Sequence, residues 1–125
     1  MGQMEQVLAE FGRDIGLAAL EPSANGHVQL RLDSGALLGA STQAEEVVLH
    51  YAEPVHYNAA ELAFKAMRRA GRSESAADPV QVGLRTTTRG EWLVVATRLP
   101  LQRFSAAEVH RLSCYLRAWL EQARH

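Results

Sequence analysis

The stretch Phe11-Gly12-Arg13-Asp14-Ile15-Gly16-Leu17 constrains this chain more than any other. Upstream of and within it, apolar residues recur at Met4, Val7, Leu8, Phe11 and Ile15, the spacing of one helical face. The spacing predicts a helix from about Gly2 to Ile15. Gly16 stops it, because glycine takes the left-handed cap without steric cost, and Leu17 beyond the cap can fold back on Phe11. Gly12 is unusual, since a mid-helix glycine costs roughly 1 kcal/mol against alanine. Its presence implies that something packs close to the backbone there. The apolar stripe of this helix needs a surface to cover.

The next segments supply one. Glu21 to Gly26 reads as a loop, with Pro22 and the turn dipeptide Asn25-Gly26. From His27 to Asp33 the chain alternates, with Val28, Leu30 and Leu32 on one face of a strand and His27, Gln29 and Arg31 on the other. Asp33-Ser34-Gly35 is a turn, Ala36 to Ser41 a second strand weakened by Gly39, and Glu45 to Ala52 a third. Three short strands with tight turns predict an antiparallel meander. A second helix begins near Asn58, an N-cap with Glu61 in the capping-box position, and ends near Gly71. Its alanines let another backbone approach closely. After a polar loop from Arg72 to Asp78, Val80 to Thr87 alternates and Thr88-Arg89-Gly90 turns the chain. Trp92 to Leu99 is apolar on both parities, which predicts the best-buried strand. Ser105 and Glu108 form a second capping box. Behind them Val109, Leu112, Leu116, Trp119, Leu120 and Ala123 make one stripe of a last helix. The order is helix, three strands, helix, two strands, helix, in an α+β fold with an antiparallel sheet packed against helices. The 125 residues fit a single domain.

Composition excludes more than it selects. A net charge of −1 gives no global field toward nucleic acid or membrane. No apolar run approaches the roughly 18 residues that span a bilayer, so no stable membrane insertion is expected. With Glu5 and Glu10 inside the first amphipathic pattern, no cleavable secretory signal is expected there. One cysteine, Cys114, forms no internal disulfide and suits a reducing compartment.

The motifs, in their order, resemble the class I chaperones of bacterial type III secretion. Phe11-Gly12 and Gly16-Leu17 match that family's FGxxxGL-like helix end, and Leu30-Arg31-Leu32-Asp33 its LxLxD-like strand. Trp92 to Leu101 matches its apolar strand with a Leu-Pro-Leu-like close, and Leu112, Tyr115, Leu116 and Trp119 the stripe of its last helix. The resemblance covers nearly the whole chain. It implies a small cytoplasmic bacterial homodimer, not an enzyme and without a cofactor. Its partner would be a secreted effector or gatekeeper protein, bound through a disordered segment near that protein's N-terminus. The segment would wrap the dimer in extended form, burying apolar side chains against the first helix and the sheet and adding a strand to a sheet edge. The resemblance points to Val7, Phe11, Leu17, Val28, Leu30 and Leu32 for the partner. Some of Val7, Phe11, Leu17 and Leu30 are then expected to line an exposed patch. It points to Leu62, Phe64, Met67, Val82 and Leu84 for the dimer. The near-neutral charge departs from the family's usual acidity and leaves effector, gatekeeper and apparatus clients open.

Other chemistries are thinly represented. The five histidines include no Cys/His pair at ligand spacing, so no metal is expected. Cys114 and His110 are four apart on one helix and can share a face, the basis of an alternative thiol-dependent enzyme. The plainer reading is a small thiol, partly buried beside the leucine stripe. Lys65, Arg68, Arg69 and Arg72 form a basic stripe, the basis of an alternative small nucleic-acid-binding regulator. The macrodipole accounts for cations at a helix C-terminus, and no stacking aromatics accompany them.

Overall fold

The computed structural model describes residues 3–14, 20–22, 27–72 and 78–124. In chain order these form α1 (Gln3–Asp14), β1 (Leu20–Pro22), β2 (His27–Arg31), β3 (Leu37–Gln43), β4 (Glu46–Val55) and α2 (Ala59–Arg72). They are followed by β5 (Gln81–Thr87), β6 (Gly90–Pro100), a one-turn 3-10 helix (Leu101–Arg103) and α3 (Ala106–Arg124). The α+β architecture read from the sequence holds, with one strand added. Residues 20–22, partly placed in a loop above, form β1 and pair Leu20 with Leu30 and Pro22 with Val28. A proline that lacks an N–H is tolerated there because β1 is the outermost strand. The cap at Gly16, the return of Leu17 and the Asn25-Gly26 turn lie outside the described residues.

The strands run in the order β1-β2-β3-β4-β6-β5, all antiparallel. β3 and β4 are longer than their apolar cores suggested. Ala44 takes a φ of 57° and closes a two-residue turn between the Gln43 and Glu46 partners. β4 continues past Ala52 because β6 pairs with it down to Val55 and Glu91. Asn58 also has a positive φ, 58°, and accepts the first helical bond of α2 from the Leu62 amide through its backbone oxygen. At α3, Ser105 Oγ accepts from the Glu108 amide at 3.2 Å, while the Glu108 carboxylate turns to Arg111 instead of reaching back. Half of that capping box is present.

Register puts Val28, Leu30, Leu38, Ala40, Val47, Leu49, Tyr51, Leu93, Val95 and Leu99 on one face, and all are buried. The three helices cover this face, α1 against β2, α3 against β4 and β6, α2 against β5 and β6. Alanines 59, 63 and 66 bring α2 close to the sheet, as their small size allows. The α3 stripe is buried as its period indicated. Each leucine so buried contributes roughly 1.5–3 kcal/mol. Thr97 is the one polar residue buried with them among the described residues, and its hydroxyl donates to the Pro79 carbonyl at 2.9 Å.

No described helix lies on the other face. Leu37, Val48, Trp92, Val94 and Ala96 project there half-buried and stand apart from the core cluster. β6 is therefore not buried on both sides, as its double apolar parity suggested. It is covered by helices on one side and only by neighbouring strands' side chains on the other.

Candidate partner-binding surfaces

Helix α2 shows its two sides plainly. Ala59, Ala63 and Ala66 face the sheet, and Phe64 and Met67, three residues apart and on one face, are 63% and 46% exposed. Leu84 on the adjoining β5 is 38% exposed, and Tyr57, just before the helix, 80%. These four are the exposed large hydrophobic residues among the described ones. Leu62 and Val82 are half-buried behind them, packed against the core. The residues expected at a dimer contact thus lie on two packed elements, with their largest side chains in solvent. Tyr57 was not singled out from the sequence, where it is one aromatic residue in a short junction.

The residues expected at a partner patch divide differently. Phe11, Val28 and Leu30 are 4%, 2% and 1% exposed and belong to the core. Of Val7, Phe11, Leu17 and Leu30, some of which were expected to line an exposed patch, Phe11 and Leu30 are buried instead, because α1 packs against β2. Val7 and Leu32 are half-buried and rest against the core, and Leu17 lies outside the described residues. Phe11 and Leu32 do meet at a cleft of about 390 Å³ between α1, the β2–β3 turn and α3. Tyr51, His110, Cys114 and Arg117 complete its walls. The Phe11 and His110 ring centroids lie 6.1 Å apart at 54°.

Cys114 is exposed rather than tucked beside the leucines. Its Sγ stands 4.0 Å from His110 Nε2, and among the described residues no carboxylate orients that imidazole. No three His, Cys, Asp or Glu side chains converge as a metal site among the described residues. No described helix is long and apolar enough to cross a membrane. Of the basic stripe of α2, Lys65, Arg68 and Arg72 are exposed and Arg69 is half-buried. Arg69 lies 5.7 Å over the Trp119 ring and bonds Gln122, which ties α2 to α3, and Arg68 lies 6.0 Å over Phe64.

The loop before β5 is anchored by charge. Asp78 pairs with Arg111 at 3.0 Å and its carbonyl accepts from Tyr115 at 2.7 Å; the bonds to Asp78 and then to Glu108 hold the Arg111 guanidinium more firmly protonated than usual. Across the molecule Arg124 bonds Glu53 at 2.6 Å, and the Tyr51 hydroxyl donates to the same carboxylate at 2.6 Å. Burial first, then this carboxylate, raises the Tyr51 phenol well above its ordinary value.

The same fold is found in solved complexes. A chain of the HopA1–SchA chaperone–effector complex aligns with a TM-score of 0.64 at 17% identity, over 95% of this chain and 91% of that one. A chain of the ExsC–ExsE complex gives 0.63 at 14%, over 99% and 95%. A chain from the Yersinia pestis type III secretion chaperone SycH bound to a stable fragment of YscM2 gives 0.57 at 17%, over 97% of both. At such identities the likeness is one of fold. No curated protein sequence matches the chain. The profile of the Tir chaperone protein family matches residues 6–125, and the chain therefore belongs to the Tir chaperone protein (CesT) family, the class I type III secretion chaperones that its motifs resemble.

Proposed function

We propose that this single-domain chain works in the bacterial cytoplasm as a homodimeric, non-enzymatic chaperone for one secreted protein or a few. It would hold a segment near the client's N-terminus extended and export-competent. The observation that carries the reading is the family match along residues 6–125. Two surfaces support its details. The exposed Phe64, Met67 and Leu84, backed by Leu62 and Val82, form the dimer contact. The cleft at Phe11 and Leu32, with Val7 nearby on α1, receives apolar client side chains, while Val28 and Leu30 belong to the core. An extended segment presents alternate side chains to such pockets. Binding free energy alone then keeps it from folding or aggregating, without nucleotide. Two copies of the cleft raise the effective concentration for a segment long enough to reach both.

The test is capture with the tagged chain from the source bacterium, grown under secreting conditions, paired with deletion of its gene. A captured protein is expected to disappear from the secreted set on deletion, and its N-terminal segment alone is expected to suffice for capture. An unchanged secreted set, or capture of nucleic acid in place of a secreted protein, would sink the proposal.

A further inference from the structure

The helix-free face of the sheet holds a hollow of about 310 Å³. Its floor is apolar, built from Leu37, Ala52 and Trp92 on three neighbouring strands. Its walls carry Arg31, Arg85 and Arg89, and among the described residues no acidic one lines it. The arrangement is written into the register. Arg31 pairs with Leu37, Leu37 with Ala52, and Arg85 with Trp92, so guanidinium groups flank apolar side chains along one face. Arg85 and Arg89 are exposed and make no ion pair among the described residues. In a chain of net charge −1, this local excess of cations is not a sample of the whole surface. Its neighbour on β5, Leu84, projects to the opposite, helix-covered side, so the hollow stays open when the α2 surface is occupied.

We infer that this hollow binds an acidic stretch of an extended polypeptide, an apolar side chain resting on Trp92 while flanking carboxylates pair with Arg85 and Arg89. The inference rests on the chaperone reading and adds to it the chemistry of the client segment. Guanidinium forks match carboxylates in geometry and charge. In an extended chain the residues two before and two after an apolar side chain share its face, so carboxylates there reach the cations that flank the apolar floor. One half-buried aromatic ring offers a single platform, short of the successive stacking surfaces that single-stranded nucleic acid uses.

The test uses short labelled peptides in which the residues two before and two after each leucine, which share its face of an extended chain, are aspartate, serine or lysine and the remaining positions are serine, titrated into the intact protein and read by fluorescence anisotropy. The aspartate peptide is expected to bind tightest. Arg85→Ser with Arg89→Ser is expected to weaken it about tenfold, the size of losing two exposed charge pairs, and to leave the serine peptide unchanged. Raising salt from about 50 mM to about 500 mM is expected to shrink the aspartate advantage in the wild type and not in the double variant. Both positions are exposed, and a thermal melt confirms the fold of the variant. Equal binding of aspartate and serine peptides overturns the inference, as does an advantage that survives the double substitution. Displacement of the aspartate peptide by a single-stranded oligonucleotide at lower concentration makes the occupant nucleic acid, and a change of oligomeric mass in Trp92→Glu makes it a second copy of the chain. Either result overturns the inference too. Capture of a secreted protein is read separately: its loss with the aspartate preference intact counts against the chaperone reading, not against the hollow.

Discussion

The His50 imidazole of β4 lies across Gly39, its cross-strand partner on β3, on the sheet face that no helix covers. A methyl group at Gly39 would stand 2.7 Å from His50 Cε1, so the ring must move to admit one. Gly39→Ala is expected to destabilise the protein by about 1 kcal/mol, as small overpacking does. In a His50→Ala background the same change is expected to be neutral or stabilising, because alanine restricts the unfolded chain. Urea unfolding of the four proteins measures the coupling, and additive effects would discard this account of the glycine.

The dimer contact is testable by mass. Light scattering of the wild type is expected to give twice the 13.8 kDa chain mass. Phe64→Glu with Met67→Glu is expected to yield the folded monomer, since both side chains already face solvent and their exchange costs little inside one chain, within about 0.5 kcal/mol. A dimer that survives this pair of charges places the contact elsewhere.

For the client cleft, burial decides which variants are informative. Leu32→Glu and Val7→Asp change half-buried positions and are expected to abolish client binding with the dimer folded. Leu30→Glu buries an unpaired carboxylate at a 1% exposed site and is expected to cost about 3–5 kcal/mol, unfolding the chain instead. Arg68→Glu with Arg69→Glu serves as the control and is expected to leave client binding intact. Binding assays beside circular dichroism separate these outcomes; normal client binding by Leu32→Glu would remove the cleft from the site.

Alkaline pH offers a further handle. The Tyr51 and Tyr115 phenols are both raised above their ordinary value of roughly 10, by burial first, then by Glu53 and Asp78 respectively. The fold thus favours the protonated phenols. Their contribution is whole below about pH 10 and is lost as pH rises through the folded-state values. Tyr51→Phe is expected to cost about 1 kcal/mol at neutral pH through the bond to Glu53. It is also expected to flatten the fall in stability between about pH 10 and about pH 12, as denaturant midpoints across that range would show. An unchanged slope would mean that Tyr51 ionises as freely in the folded chain as in the unfolded one.

Periodicity carried most of what was legible in the sequence. The α3 stripe from Val109 to Ala123 and the inward set Val28, Leu30 and Leu32 follow directly from spacing. Pro22 was misleading, because a residue that breaks inner strands is harmless on an outermost one. Trp92 and Val94 were misleading in another way: an apolar side chain has the same identity whether a helix or a future partner covers it. The same ambiguity divided the expected site. Phe11 and Leu30 went to the core, Phe64 and Met67 to the surface, and only tertiary packing separates them. The hollow beside Trp92 was not legible at all, since Arg31, Arg85 and Arg89 come together through strand order.

The strand order has a kinetic consequence. Four of the five neighbouring pairs join strands consecutive in sequence, and only β4 with β6 does not. Hairpins can form as soon as their turns close, but the β4–β6 seam must first loop out residues 56–89, with the entropy that entails. That seam runs from Glu46 and Pro100 to Val55 and Glu91 and unites two otherwise local units. Substitutions such as Leu49→Ala or Val95→Ala are expected to slow refolding in stopped-flow measurements, whereas changes in α1 are expected mainly to speed unfolding. The residues that commit the chain to its fold would then lie at the middle of the sheet, away from both the cleft and the hollow, leaving those surfaces free to vary with the partner they hold.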